Sequence, residues 1–163
     1  MAMLVLAALL AATPVEETGH VEEREFLNIS VEVPAGWKAI RHPSAISLHP
    51  EPWLASIDLG YYEPHNDCQY SDWTAWTRRK LRRLAQGATI RRRRSLVVDG
   101  HRALQLEWVE GGQPWRTIVE TWIARPEPEA PKTGEVFVVL LDGADGPSRA
   151  AYARVLASLR FLR

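Results

Sequence analysis

The spacing of apolar residues predicts an α+β fold: a central antiparallel sheet of about six to eight strands flanked by two main helices. Three observations carry this expectation. Period-two alternation recurs along the chain, but between Ser71 and Gln86 the apolar residues adopt helical spacing. A second helical stretch opens with Pro147 and continues through Ala151, Tyr152, Val155 and Leu156. Finally, Val136 to Leu141 is apolar on both faces, as befits a strand in the middle of a sheet that is covered on each side.

The elements follow in order. Phe26 to Val33 places Leu27, Ile29, Val31 and Val33 on one side of a strand that Pro34-Ala-Gly36 ends. Trp37 to Ile40 and Ala45 to Leu48 read as short strands, and Trp53 to Tyr62 as a longer one with Trp53, Ala55, Ile57, Leu59 and Tyr61 facing the same way. In the first helix Trp73, Thr77, Leu81 and Leu84 form one stripe with Trp76 beside it. Arg78, Arg79, Arg82 and Arg83 fall on the opposite side of the cylinder. Ser71 or Asp72 caps its start, and Gly87 ends it. Strands then run from Thr89 to Val98 and from Arg102 to Val109, joined by Asp99-Gly100, a pair that tolerates positive φ. Glu110 to Pro114 turns into a strand from Trp115 to Ala124. The Pro-rich stretch Arg125 to Gly134 reads as a longer, mobile loop before Glu135 to Leu141, and Leu159 to Leu162 closes the chain.

With 163 residues, 46% apolar side chains and 20 basic groups against 20 acidic ones, the composition is that of one globular domain. It excludes a disordered polymer, a collagen-like rod and a disulfide framework. The zero net charge conceals a division: residues 1–66 carry −6, residues 67–105 carry +7, and the remainder −1. A surface wholly committed to nucleic acid or to an anionic membrane is not indicated, but a local basic patch is.

The N-terminus is organised as a segment apart. Met3 to Ala12 is an apolar run too short to span a bilayer, followed by Thr13-Pro14 and several Glu. Residues 1–14 therefore read as a signal peptide, with cleavage near Ala12, or as an N-terminal apolar segment that packs on the domain, since no Lys or Arg precedes the run. Residues 15–23 read as an acidic linker and 24–163 as the single domain. Export to the periplasm or medium is the expected localisation, with the cytoplasm as the alternative. Cys68, the only cysteine, forms no internal disulfide in either.

Reactive motifs are sparse. The chain has no Gly-x-Ser-x-Gly elbow, no phosphate-binding Gly-rich loop, and five His without metal-ligand spacing. His65, Asp67 and Cys68 are the one local cluster, and Glu107, Glu110 and Glu120 the one set of carboxylates that neighbouring strands bring near each other. Neither amounts to a catalytic signature. No enzyme activity, cofactor, metal or transmembrane span is expected.

The distinctive charge feature is nine cations within 17 residues, Lys80 and the eight arginines 78, 79, 82, 83 and 91–94. In a strand, four consecutive Arg point two to each face. Arg78, Arg79, Arg82, Arg83, Arg91 and Arg93 are the candidate contacts for an acidic protein, polysaccharide or lipid headgroup. Nucleic acid is not the expected partner, because helical geometry turns Trp73 and Trp76 away from the Arg side, where stacking on bases would need them. Among seven Trp, those at 53, 108, 115 and 122 suggest an open sheet lined with rings, suited to a hydrophobic peptide or a sugar. Burial is the default for Trp108 and Trp122. Trp115, beside a turn, is expected to be the least covered and joins the candidate contacts.

Three phrases taken together, Ser30-Val-Glu-Val-Pro-Ala-Gly-Trp37, Val98-Asp-Gly-His-Arg-Ala-Leu104 and Tyr152-Ala-Arg-Val-Leu-Ala-Ser-Leu-Arg-Phe161, resemble the PsbP/Mog-like superfamily over about residues 24–163. The resemblance implies a central antiparallel sheet flanked by helices and a non-catalytic role. Members share a scaffold and not a job, so the ligand stays open. Together with the export signal, the resemblance leads to a non-enzymatic binding or accessory protein of the bacterial cell envelope, DcrB-like or PsbP-like, with a protein or anionic partner. The alternatives are a cytosolic chaperone of the same fold that shields apolar segments of a secreted protein, and a hydrolase with an unrecognised site.

Overall fold

Alternation sorts the side chains of the sheet between two unlike faces, and the consequences are visible in a computed structural model of the chain. It describes residues 16–61, 69–112, 116–130 and 133–162. The elements in order are β1 (Glu16–Glu17), β2 (His20–Glu23), β3 (Ile29–Glu32), β4 (Trp37–His42), β5 (Ala45–Pro50), β6 (Ser56–Tyr61), β7 (Gln69–Tyr70), α1 (Trp73–Leu84), β8 (Ala88–Val98), β9 (His101–Glu110), β10 (Thr117–Pro126), β11 (Gly134–Asp142), α2 (Gly146–Ser158) and β12 (Arg160–Phe161). Eight strands form the main sheet in the order β1-β4-β5-β6-β11-β10-β9-β8, with short β7 also pairing β11, and all pairs are antiparallel. This is the α+β class that the sequence predicts.

Two expectations for the N-terminal part of the chain need correction. The strand around Ile29 does not enter the main sheet: β3 pairs with β2 and β12 in a separate three-stranded sheet. Alternation specifies which side of a strand is buried, and Leu27, Ile29, Val31 and Val33 are all buried, but it does not choose the pairing partner. The segment expected to be an acidic linker supplies β1 and β2, with Val21 fully buried, so the folded domain starts ahead of residue 24.

Side chains of the main sheet feed two cores. On one face Ile46, Leu48, Ile57, Leu59 and Phe137 pack with Tyr152 and Val155 of α2 and with the small sheet. On the other, Leu104, Leu106, Trp122 and Val136 pack with Trp76 of α1. β10 and β11 give alternate residues to each, which is why Val136 to Leu141 is apolar on both sides. No residue of β4, β5 or β6 belongs to the α1 core, so that half of the face has no helix over it among the described residues.

Local chemistry sets the element ends. Asp72 caps α1 by accepting from the Ala75 N–H at 2.6 Å, and Asp145 caps α2 by accepting from Ser148 N–H at 2.7 Å. At the β8–β9 hairpin, Asp99 (φ 47°) and Gly100 (φ 78°) both take the left-handed backbone of a two-residue turn. The expected long mobile loop at 125–134 is shorter than its sequence suggests. β10 runs to Pro126 and β11 starts at Gly134, and the connection is tied by Glu127 N to Thr133 O (3.0 Å) and Thr133 N to Ala130 O (2.9 Å). Among the described residues no helix is long and apolar enough to cross a membrane.

Candidate functional site

The arginine surfaces form first from helix geometry. Trp76 and Lys80 are buried on the inner side of α1, while Arg78, Arg79, Arg82 and Arg83 are exposed on the outer side. Lys80 thus leaves the exposed basic cluster. Its ammonium sits 5.4 Å from the Trp76 ring centroid, beneath the helix. Trp73 stacks on Trp76 at 5.7 Å and lies under the Arg102 guanidinium, also at 5.7 Å.

The arginine strand departs from the expected two-and-two split. A register shift between Ile90 and Arg92 makes Arg91 an inserted residue, so Arg92 faces Glu107 and Arg94 faces Gln105, on the α2 side of the sheet. Arg93 pairs with Leu106 and faces the α1 side. The inserted residue breaks the alternation that would pair Arg91 with Arg93 on one side, and the charges of Arg91 and Arg92 both help to hold the Glu107 carboxyl down. All four are exposed. β8 is also the edge of the sheet, where a row of cations discourages pairing with another chain.

The three carboxylates do not assemble into one site. Glu107 lies on the α2 side, where Arg149 donates to it at 2.9 and 3.0 Å and holds its carboxyl below the ordinary range. Glu120 lies on the α1 side and is almost wholly buried. It accepts from Trp122 Nε1 at 2.5 Å and Trp108 Nε1 at 3.2 Å. Burial pushes its pKa up, and the two indole donors and the Lys80 charge oppose that push. Glu110, Lys80, Arg83 and both Trp line a cleft of about 460 Å³ beside it. A buried carboxylate satisfied by two indole N–H groups is a structural knot in the α1 core, for which the sequence offers only the presence of Trp108 and Trp122 on the same strand faces.

A cavity of about 620 Å³ lies on the half of the face that has no helix over it among the described residues. Ile46, Leu48, Ile57 and Leu59 all point to the α2 core, so the alternate residues Ser47, His49, Ser56 and Asp58 form its floor. Ser47 Oγ donates to Asp58 Oδ1 at 2.6 Å and Ser56 Oγ to Asp58 Oδ2 at 3.0 Å. Arg116 closes one end with a two-point ion pair to Asp142, through Nε at 2.8 Å and through Nη2, and holds that carboxyl below its usual range. Trp53 does not start the strand as expected, since β6 begins at Ser56. It follows Pro50 and Pro52 on the turn before β6, is 63% exposed, and stacks on His49 with ring centroids 3.7 Å apart. The signal that marks it is the Pro-x-Pro-Trp sequence, which cannot continue a ladder.

Trp115 and the His65, Asp67, Cys68 cluster lie outside the described residues, as does the segment 1–14. Among the described residues no group of three or more His, Cys, Asp or Glu is placed to hold a metal ion.

No family model matches the chain, and no curated protein matches it in sequence. The solution structure of cyanobacterial PsbP (CyanoP) from Synechocystis sp. PCC 6803 aligns with a TM-score of 0.55 over 98% of this chain and 98% of that one, at 12% identity. The fold is PsbP-like. Identity this low speaks for the scaffold alone, so the uses of this PsbP-like chain are argued from its own surfaces.

Proposed function

We propose that the chain is a non-enzymatic binding or accessory domain of the bacterial cell envelope, DcrB-like or PsbP-like, that engages an anionic or protein partner through the outer face of α1. The observation that carries this reading is the exposure of Arg78, Arg79, Arg82 and Arg83 on a helix whose inner side is anchored by Trp76. The anchor fixes the side of α1 on which the four guanidinium groups stand, and guanidinium forks suit carboxylate and phosphate partners. Arg93, on the same side of the sheet, extends the basic surface. The engagement of Glu107 by Arg149, and of Glu120 by two indoles, supports binding over general acid–base catalysis. A chaperone for apolar segments is favoured less, because the open half of the sheet is floored by Ser47, Ser56 and Asp58.

Replacing Arg78, Arg79, Arg82 and Arg83 together with Gln tests the reading by retention of partner from envelope extract at low and high salt. Loss of retention in the variant, and salt-sensitive retention in the parent, is the expected outcome, since exposed charges beyond about 10 Å are screened at 0.1 M salt. Retention that neither the substitutions nor salt alters refutes the α1 face. Sequencing the N-terminus of the cellular protein tests the compartment: a new start near Ala12 supports export, and an intact Met1 favours the cytosolic chaperone.

A further inference from the structure

We propose that the half of the main sheet over which no helix lies among the described residues is a binding site for an uncharged saccharide, seated on the floor of Ser47, Ser56 and Asp58 with the Trp53 ring as its apolar wall. The site is distinct from the arginine face of α1 and does not depend on it.

Three observations converge. The cavity, about 620 Å³, falls in the range that accommodates a small organic ligand, and a disaccharide is of that size. Its floor is built for hydroxyl groups. Both serine protons are spent on Asp58, which leaves the serine oxygens as acceptors, and a carboxylate with two bonds in place still has unused lone-pair positions. Trp53 supplies the complementary surface. One of its faces rests on the His49 imidazole with the planes within 22°, yet the residue remains 63% exposed, and Leu54 on the same lip is 77% exposed. A flat indole beside an array of fixed acceptors matches a sugar ring, which presents C–H groups on one face and hydroxyls around its rim.

Charge narrows the class. Arg116 cancels Asp142 at the end of the cavity, so Asp58 is the carboxylate whose charge is left on the floor. An anionic ligand would meet that charge, and a wholly apolar one would strip water from Asp58 without replacing its hydrogen bonds. A neutral polyol replaces them. The competing ligand is a small cation, which Asp58 and the Trp53 ring would also attract.

The test is a titration of the full chain, followed by amide and indole NMR shifts, with cellobiose, maltose and N,N′-diacetylchitobiose as uncharged probes and lysine amide as the cationic one. Saturable shifts at Trp53, Ser47 and Asp58 with at least one disaccharide are expected. Trp53→Ala should weaken that binding by at least about ten-fold and Trp53→Tyr should restore much of it. The Arg78, Arg79, Arg82 and Arg83 to Gln variant should bind the sugar as the parent does, which separates this site from the arginine face. Because Trp53 is largely exposed, an unchanged melting temperature is the expected control for Trp53→Ala. No saturation with any of the three disaccharides overturns the proposal, as does saturation at these residues by lysine amide alone.

Discussion

The two faces of the main sheet carry the same strands but solve different problems. Against α2 and the small sheet, the interior is aliphatic and aromatic, and a buried hydroxyl there is fully engaged: Tyr152 Oη donates to the Val139 carbonyl and accepts from the Thr121 hydroxyl, 2.7 Å from each oxygen. Against α1, charged groups are taken inside, with Glu120 and Lys80 nearly inaccessible, and half of the face has no helix over it among the described residues. Burying charge costs free energy that apolar packing does not. Stability therefore concentrates on the α2 side, and the features suited to recognition, the arginine face and the Trp53 cleft, concentrate on the α1 side.

The largest expected effect tests the stable side. Phe137 is fully buried and meets Tyr61 and Phe161 edge-on, with centroids 5.5 and 5.3 Å away. Phe137→Ala should cost about 3–5 kcal/mol in denaturant unfolding, because the cavity lies among residues of several strands that cannot all collapse inward. A loss below about 1 kcal/mol, on the order of an exposed-site substitution, would break the proposed asymmetry between the faces.

Glu120 probes the other side. Its folded-state pKa is raised by burial, so the carboxyl is protonated in the folded chain at pH values where the unfolded chain has already released the proton. Stability from this group is fully present below the unfolded value near 4.3, and is lost as pH rises through the folded one, at no more than about 1.4 kcal/mol per pH unit. Glu120→Gln keeps the size and a carbonyl acceptor for one of the two indoles, and does not titrate. The stability of the variant relative to the parent should rise as pH rises from about 4 toward neutrality, read from unfolding free energies across that range. A gap that is constant with pH would show that the carboxylate is not destabilised by its surroundings.

The contrast also explains what was legible beforehand. Strong periodic signals located β5, β6, β8 to β11 and both helices, because a buried face repeats every second residue or every turn whatever covers it. Pairing was not legible, and β3 shows why: a strand with one apolar side fits equally well under α2 in a small sheet or inside a large one. Charge burial was hidden for a different reason. Lys80 is one cation among nine in the linear sequence, and only the helical phase set by Trp73, Trp76 and Leu84 turns it inward. The Arg91 bulge adds one residue to the strand without any change of composition, so the separation of Arg91 from Arg93 leaves no trace in the alternation. Of the candidate contacts, the α1 arginines were readable from helical geometry alone. Trp53 was readable as one of four rings suited to a sugar but not in its place before the strand, because its apolar neighbours at alternate positions imitate the strand that begins only at Ser56.

The smallest effect sharpens the comparison at the helices themselves. Both are capped by an aspartate, but Trp73, Leu81 and Leu84 of α1 are only half-buried, whereas Tyr152, Val155 and Leu156 of α2 lie within the larger core. Removing a cap costs about 1 kcal/mol, and where that cost is felt depends on how firmly the helix is otherwise held. For Asp72→Ala the loss should appear as local opening, with hydrogen exchange of α1 amides about five-fold faster and the global midpoint little changed, since α1 opens ahead of the rest. For Asp145→Ala, whose carboxylate is held below its ordinary pKa by Ser148, the loss should instead lower the global midpoint. The depressed pKa fixes the sign of the pH response: the cap contributes above the unfolded aspartate value and fades as pH falls through the folded one. Equal exchange rates in α1 and α2 after both substitutions would mean that the two faces unfold as one unit, and that the charged interior under α1 is no weaker a seam than the apolar one opposite.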